Sequence, residues 1–253
     1  MRTDGMNDED FTEAAYGRLL AAAARRFEIR TVTDALTQGA AGEAGGIAAW
    51  RHDVDLSPQR ARALAGIEAA QGVRSTFFVL LSGPFYNPLE EGVTGLFQEI
   101  QAMGHEIGLH FDAAAGGGDP VGRLRAEAEM LSCAMGSRIR TFSLHNPSVS
   151  APEEFTQPHV GGLMNATAES LRAPFVYASD SNGFWRFRSM HEVVADESVR
   201  SLYALTHPEW WTPEPMSPAE RVRRCVQGRA AAVVDDYVNL IARHRPEVLH
   251  HVR

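Results

Sequence analysis

The chain has 253 residues, 44% of them hydrophobic and 22% charged, which is apolar material enough for one large domain or two small ones. Its net charge of −8 argues against non-specific binding to nucleic acid or to an anionic membrane surface, and no apolar run reaches the length of a membrane span. The two cysteines, Cys133 and Cys225, match no metal-ligand spacing and read as reduced thiols with a packing role.

The opening MRTDGMNDED is acidic and lacks the basic-then-apolar order of a secretion signal. Residues 1–10 are expected to be disordered, and the protein is expected in the cytoplasm. Residues 11–27 read as an amphipathic helix, and TQGAAGEAGG (37–46) as a flexible loop. GIAAW (46–50) is a short apolar strand running into RHDVD. Ser57-Pro58 then supplies an N-cap and a first-turn proline for a helix over 58–71 that stops at Gly72. STFFVLL (75–81) is a second strand, followed by the loop SGPFYNP and a helix over 92–103. EIGLH (106–110) is a third strand, and Asp119-Pro120 opens a helix ending near Gly136. RTFSLH (140–145), FVYAS (175–179) and SLYALTH (201–207) are further strands. The stretch 148–174 is irregular and reads as a loop insertion. Ser217-Pro218-Ala219-Glu220 is a capping box that opens a long last helix over 218–243.

Strands alternating with helices of ten or more residues imply a parallel α/β sheet in one domain over 1–253. The strands are near-continuous apolar runs, so both faces of the sheet are expected to be covered. Five of them end on ionisable residues: Arg51-His52-Asp53-Val54-Asp55, His110 and Asp112, His145-Asn146, Asp180, and His207 with Glu209 after it. In a parallel sheet the C-terminal strand ends share one face, where active sites form. Asp53 and Asp55 are two apart, so their side chains share a face of extended chain. Two carboxylates so close call for a cation or a proton between them. Two histidines and a carboxylate make a three-ligand catalytic zinc set. A second carboxylate can accept the proton of water, and a histidine from another strand can protonate a leaving group.

With HDVD, GHEIGLH, SLH and HPEWW in this order over about 12–245, the chain resembles the polysaccharide deacetylase, or NodB-homology, family of carbohydrate esterase type. The resemblance implies a distorted (β/α) barrel, often of seven strands. It also implies removal of acetyl groups from amino sugars with a divalent metal, zinc first, with nickel, cobalt or iron as alternatives. In the family's first motif two adjacent aspartates serve as base and metal ligand; here Val54 separates them. The resemblance makes Asp53 the base and Asp55 the ligand, with the reverse order open. The family's second motif carries two histidines four apart. His110 matches the first, but Ala114 stands at the second. The third motif normally carries an arginine and a proline; here it reads SLHNP, so the simplest repair of the metal set is Asp55, His110 and His145. By the same resemblance His207 is the general acid, and Asp180 either orients it or binds substrate.

Asn146, Tyr86, Trp210 and Trp211 are candidate substrate contacts, although the two tryptophans would equally serve to close the top of the barrel. Asp112 is either a ligand or a partner of a ligating histidine. His52 points away from Asp53 and is expected to be packed, and His105 belongs to the turn before its strand. The function these residues imply is metal-dependent deacylation of a carbohydrate or small metabolite, with no nucleic-acid or membrane partner. Two alternatives remain: another metal-dependent reaction at a C–N bond, such as deformylation, cyclic amide cleavage or biosynthetic chemistry beyond hydrolysis, and a non-catalytic binding module.

Overall fold

The computed structural model describes residues 11–38, 46–146, 152–185 and 188–251. The segments expected to be disordered (1–10) and most of the loop 37–46 lie outside them. The elements are α1 (Glu13–Ala24), β1 (Phe27–Arg30), α2 (Val32–Gln38), β2 (Gly46–Val54), α3 (Pro58–Ala70), β3 (Thr76–Leu80), α4 (Glu91–Ala102), β4 (Glu106–Phe111), α5 (Pro120–Met135), β5 (Thr141–Leu144), β6 (His159–Val160), β7 (Leu163–Asn165), α6 (Glu169–Arg172), β8 (Val176–Ser179), α7 (Met190–Ala195), β9 (Ser201–Thr206) and α8 (Pro218–His244). No helix among the described residues is long and apolar enough to cross a membrane.

The caps form where the sequence places them. Ser57 accepts a hydrogen bond from the backbone of Arg60, Asp119 accepts from Val121 and Gly122, and Ser217 and Glu220 close a reciprocal capping box. One sheet runs β6-β7-β5-β4-β3-β2-β9-β8, with β1 paired to the start of β2. Seven strands of this path, β7, β5, β4, β3, β2, β9 and β8, pair in parallel; β6 is antiparallel to β7. The architecture is therefore the distorted (β/α) barrel expected. Its path is open, since β6 and β8 at its two ends are not paired to each other. The irregular stretch is more than a loop: its described part supplies the β6–β7 hairpin and α6.

Alternation along each strand separates a helix-covered face from a concave one. On β2, Ala48 and Trp50 pack toward α1, α3 and α7, whereas Ile47 and Ala49 pack with Val32, Ala35, Phe78 and Tyr203 at the closed end of the concave face. Gly108 on β4 faces Phe78, and a Cβ there would lie 2.5 Å from its ring, so glycine is required for that ring to fill the interior. Above this plug the same inward positions turn polar: Arg51 and Asp53 on β2, His110 on β4 and Ser143 on β5.

Candidate metal and acid–base site

Asp55 directly follows β2 and His110 lies in β4, two strands separated by β3. In a flat sheet they would stand about 9–10 Å apart. Instead Oδ1 of Asp55 lies 3.1 Å from Nε2 of His110. The curl of the sheet brings the strand ends together, and the chemistry depends on that curl.

Asp55, His110 and His145 each offer a ligand atom, all within 4.8 Å of one another. Asp55 Oδ1 and His145 Nδ1 are buried and have no hydrogen-bond partner. His110 Nδ1 meets the Ser143 hydroxyl at 2.7 Å. If that nitrogen carries the proton, Nε2 presents a lone pair directly to the Asp55 carboxylate. Two lone pairs facing each other across 3 Å, with a third unpartnered donor atom beside them, is the arrangement a cation satisfies. The residues present thus fit a divalent metal. Asp55, not Asp53, joins the cluster, because both oxygens of Asp53 are already engaged.

Asp53 is held in a two-pronged ion pair by Arg51 on the same strand, with Nε of Arg51 3.1 Å from Oδ1 and Nη2 in close contact with Oδ2. Ser143 adds a longer contact of 3.4 Å to Oδ1. Burial disfavours the charge on Asp53, but the Arg51 guanidinium and His110 outweigh it and hold the carboxyl below the usual range. Asp55 is likewise held down: burial opposes the charge, and the facing histidines prevail.

His207 follows β9. Its Nδ1 meets Oδ1 of the fully buried Asp180 at 2.7 Å, and its backbone N–H donates to the same carboxylate at 3.0 Å. Trp211 Nε1 donates to the other oxygen at 2.8 Å. Burial would lower the basicity of His207, but Asp180, with Asp55 and Glu209 beyond it, raises its pKa to about 10. Its Nε2 is 4.0 Å from Asp55 Oδ2. Glu209 is also shifted upward: burial and the Asp55 charge raise its pKa to about 8.

These groups line a cavity of about 250 Å3 together with Asn146, Thr167, Arg172, Tyr177, Ser181 and Trp210. Four buried polar atoms without partners, on Asp55, His145, Glu209 and Trp210, all belong to residues of this cavity.

Of the expected residues, Asp53, Asp55, His110, His145, Asn146, His207 and Trp210 line the cavity, and Asp180 sits directly behind His207. Two expected substrate contacts lie elsewhere. Tyr86 is buried with its hydroxyl donating to the Val54 carbonyl at 2.6 Å and accepting from Leu80 N–H, so it fastens the loop after β3 to the end of β2. Trp211 is buried among Phe11, Tyr16 and Trp185 in the cluster under α1, α3 and α7, and its N–H fixes Asp180. Asp112 caps its own loop through the Ala114 and Ala115 N–H groups and stands 3.7 Å from His145, outside the three-residue cluster.

Arg51, Ser143 and Arg172 were not anticipated. Arg51 had a visible signal, since it shares the odd-numbered face with Asp53 and Asp55, and Ser143 shares one with His145. Arg172 had none, because it lies in the irregular stretch.

No family model matches the sequence, and no curated protein matches it. Among solved structures, the chain is similar to the Streptococcus pyogenes deacetylase PplD in complex with acetate, at 13% identity and a TM-score of 0.42 over 83% of this chain and 85% of that one. It is also similar to the Xyl-CE4 domain of a multidomain xylanase from the hindgut metagenome of Trinervitermes trinervoides, at 13% identity and 0.40 over 75% of this chain and 83% of that domain. A third is BA3943, a CE4 family pseudoenzyme from Bacillus anthracis, at 13% identity and 0.37 over 73% of this chain. The chain spans 60% of the length of BA3943. At these identities the likeness is one of chain path alone.

Proposed function

We propose that the chain is a metal-dependent hydrolase of a non-peptide C–N bond, removing an N-acetyl or related acyl group from a carbohydrate or small metabolite. The observation that carries this reading is the cluster of Asp55, His110 and His145, with its unpartnered buried donor atoms, set between an ionised carboxylate and a protonated imidazole. The motif resemblance points to the same chemistry.

A divalent cation held by these three residues, zinc first, supplies Lewis-acid polarisation of an acyl oxygen and acidifies a water. The side chains do the rest. Asp53 is the proton acceptor, and Arg51 keeps it in the acceptor form and fixes its orientation. His207 is the proton donor. Asp180 binds its Nδ1, which leaves the Nε2 proton on the cavity side for a departing amine. The two groups have their proton affinities pushed in opposite directions, the separation an acid–base pair requires. Ser143 links the sets by holding His110 in one tautomer and touching Asp53.

The test is metal analysis of the purified chain followed by acetate, formate or ring-opening assays on N-acetylated amino sugars, formamides and cyclic amides, with and without chelator. The expected result is a bound or rebindable divalent metal and chelator-sensitive acetate release. His145→Ala should lose the metal, whereas Asp53→Ala should retain it and lose turnover. Absence of metal binding, or metal binding unchanged in His145→Ala, overturns the assignment.

A further inference from the structure

Of the cationic side chains that line the cavity, all but one have a carboxylate partner among the described residues. Arg51 is neutralised by Asp53, and His207 by Asp180. Asp55 faces the two histidines of the metal cluster. Arg172, the last residue of α6, lines the same cavity and has no carboxylate within ion-pair distance among the described residues. Among the described residues its side chain makes one hydrogen bond, from Nε to the Thr167 carbonyl at 3.1 Å. The guanidinium plane lies over two rings, 5.4 Å from the centre of Tyr177 and 6.0 Å from that of Tyr203. It is therefore oriented by one hydrogen bond and two aromatic faces, while both terminal nitrogens keep their donors uncommitted among the described residues.

The neighbourhood adds to the demand for an anion. Arg51 stands over the same Tyr203 ring at 5.9 Å. Two guanidinium groups thus share one tyrosine, and among the described residues Asp53 alone forms an ion pair with either of them. An arginine anchored through Nε and by stacking, with its terminal N–H groups free, is pre-organised to grip a planar or tetrahedral oxyanion by two parallel hydrogen bonds. A cavity of about 250 Å3 is also small beside the ~300–1,000 Å3 of sites that bury drug-sized ligands, which suits a substrate unit the size of one sugar ring.

We infer that the substrate carries an oxyanion, a phosphate or a carboxylate, and that Arg172 is its binding residue: the acylated amine is turned over as a small anion. This rests on the hydrolase reading for the reaction and on Arg172 alone for the charge. Thr167 and Tyr177 position the guanidinium.

The experiment compares kcat/KM for neutral N-acetylglucosamine, its phosphate monoester, and the carboxylate-bearing N-acetylmuramate, in wild type, Arg172→Gln and Arg172→Lys. Wild type should prefer at least one anionic compound, and which one identifies the oxyanion. A charge-assisted contact of about 1.5–3 kcal/mol corresponds to a preference of roughly ten- to hundredfold. Arg172→Gln should abolish that preference through KM, and Arg172→Lys should restore part of it. A ratio unchanged in Arg172→Gln, or a wild-type preference for the neutral sugar, overturns the inference. A second arm needs no turnover. Glucosamine phosphate is titrated calorimetrically into full-length Asp55→Ala protein, with and without Arg172→Gln. If wild type hydrolyses none of the three compounds but Arg172→Gln still weakens this binding about tenfold or more, the hydrolase reading falls and the anion site stands. Hydrolysis without any charge preference gives the reverse.

Discussion

On opposite faces of β2, two clusters are built from the same parts, two histidines and a carboxylate. Behind the strand Glu68 is the hub. His52 Nε2 meets its Oε1 at 2.7 Å, Ser75 donates to its Oε2 at 2.5 Å, the Tyr16 hydroxyl donates to Oε1, and His105 Nδ1 stands 3.5 Å away. The histidines' other nitrogens are occupied too, by the Thr206 hydroxyl at 2.7 Å and the Ala65 carbonyl at 3.1 Å. All of these side chains are buried. In front of the strand, Asp55, His110 and His145 line an open cavity, and buried atoms of two of them have no partner. A complete set of hydrogen bonds makes the first cluster part of the core. The gaps in the second make it a site. Composition does not distinguish them; satisfaction and access do.

Mutations at the two clusters should therefore read out differently. The largest effect is expected at Glu68→Ala, which strips partners from His52, Ser75 and Tyr16 at once. By analogy with broken buried ion pairs it should cost about 3–5 kcal/mol in urea unfolding. Asp55→Ala, by contrast, should cost clearly less in the metal-free protein, since the Asp55 side chain is partly exposed and its loss leaves the Ser143 bond to His110 in place. Equal destabilisation at both positions would erase the distinction.

Next in size is Asp180→Asn. It keeps the shape of the bond to His207 but removes the charge, and turnover should fall about a hundred- to ten-thousandfold with metal content intact. Loss of metal would place Asp180 in the wrong cluster. Ser143→Ala should have a smaller effect, weakening metal affinity about ten- to hundredfold by freeing the His110 tautomer, as measured by competition with a chromophoric chelator.

The smallest effect concerns acid stability. Burial opposes the charge on Glu68, but His52 and His105 outweigh it and lower its pKa in the folded chain. A carboxyl depressed on folding contributes stability that is fully present above its unfolded pKa of about 4.3 and is lost as pH falls through the folded value. Glu68→Gln should flatten the acid limb of the urea midpoint against pH. An unchanged limb would assign the acid sensitivity to other carboxylates.

Much of this could be read in the chain. Helix caps and polar strand ends are local patterns, and they appear where expected, although the strand expected over 46–50 runs on to Val54 and the helix expected over 11–27 stops at Ala24, with Phe27 opening β1. Strand parity alone turns His52 away from Asp53 and into the packing, and the structure puts it in the Glu68 network. Other features had weak or misleading signals. β1 and α2 are too short for their periodicity to show. α6 and the β6–β7 hairpin lie in a stretch with no apolar rhythm. Trp210 and Trp211 are adjacent and alike in sequence, yet one lines the cavity and the other is sealed behind Asp180. Their difference comes from a short turn after His207 that sends consecutive rings to opposite sides.

The sequence by itself determined which residues reach the mouth of the barrel, because strand alternation and the parallel arrangement put Asp53, Asp55, His110, His145 and His207 at the same ends and on inward positions. Only the tertiary structure decided how they are partnered. The curl of the sheet closes the gap between β2 and β4 and selects Asp55 over Asp53 for the cluster. It also brings Arg172 from α6 to the same cavity, with no carboxylate within ion-pair distance among the described residues. Those choices depend on distances of a few ångströms between strands far apart in sequence, and no local pattern encodes them.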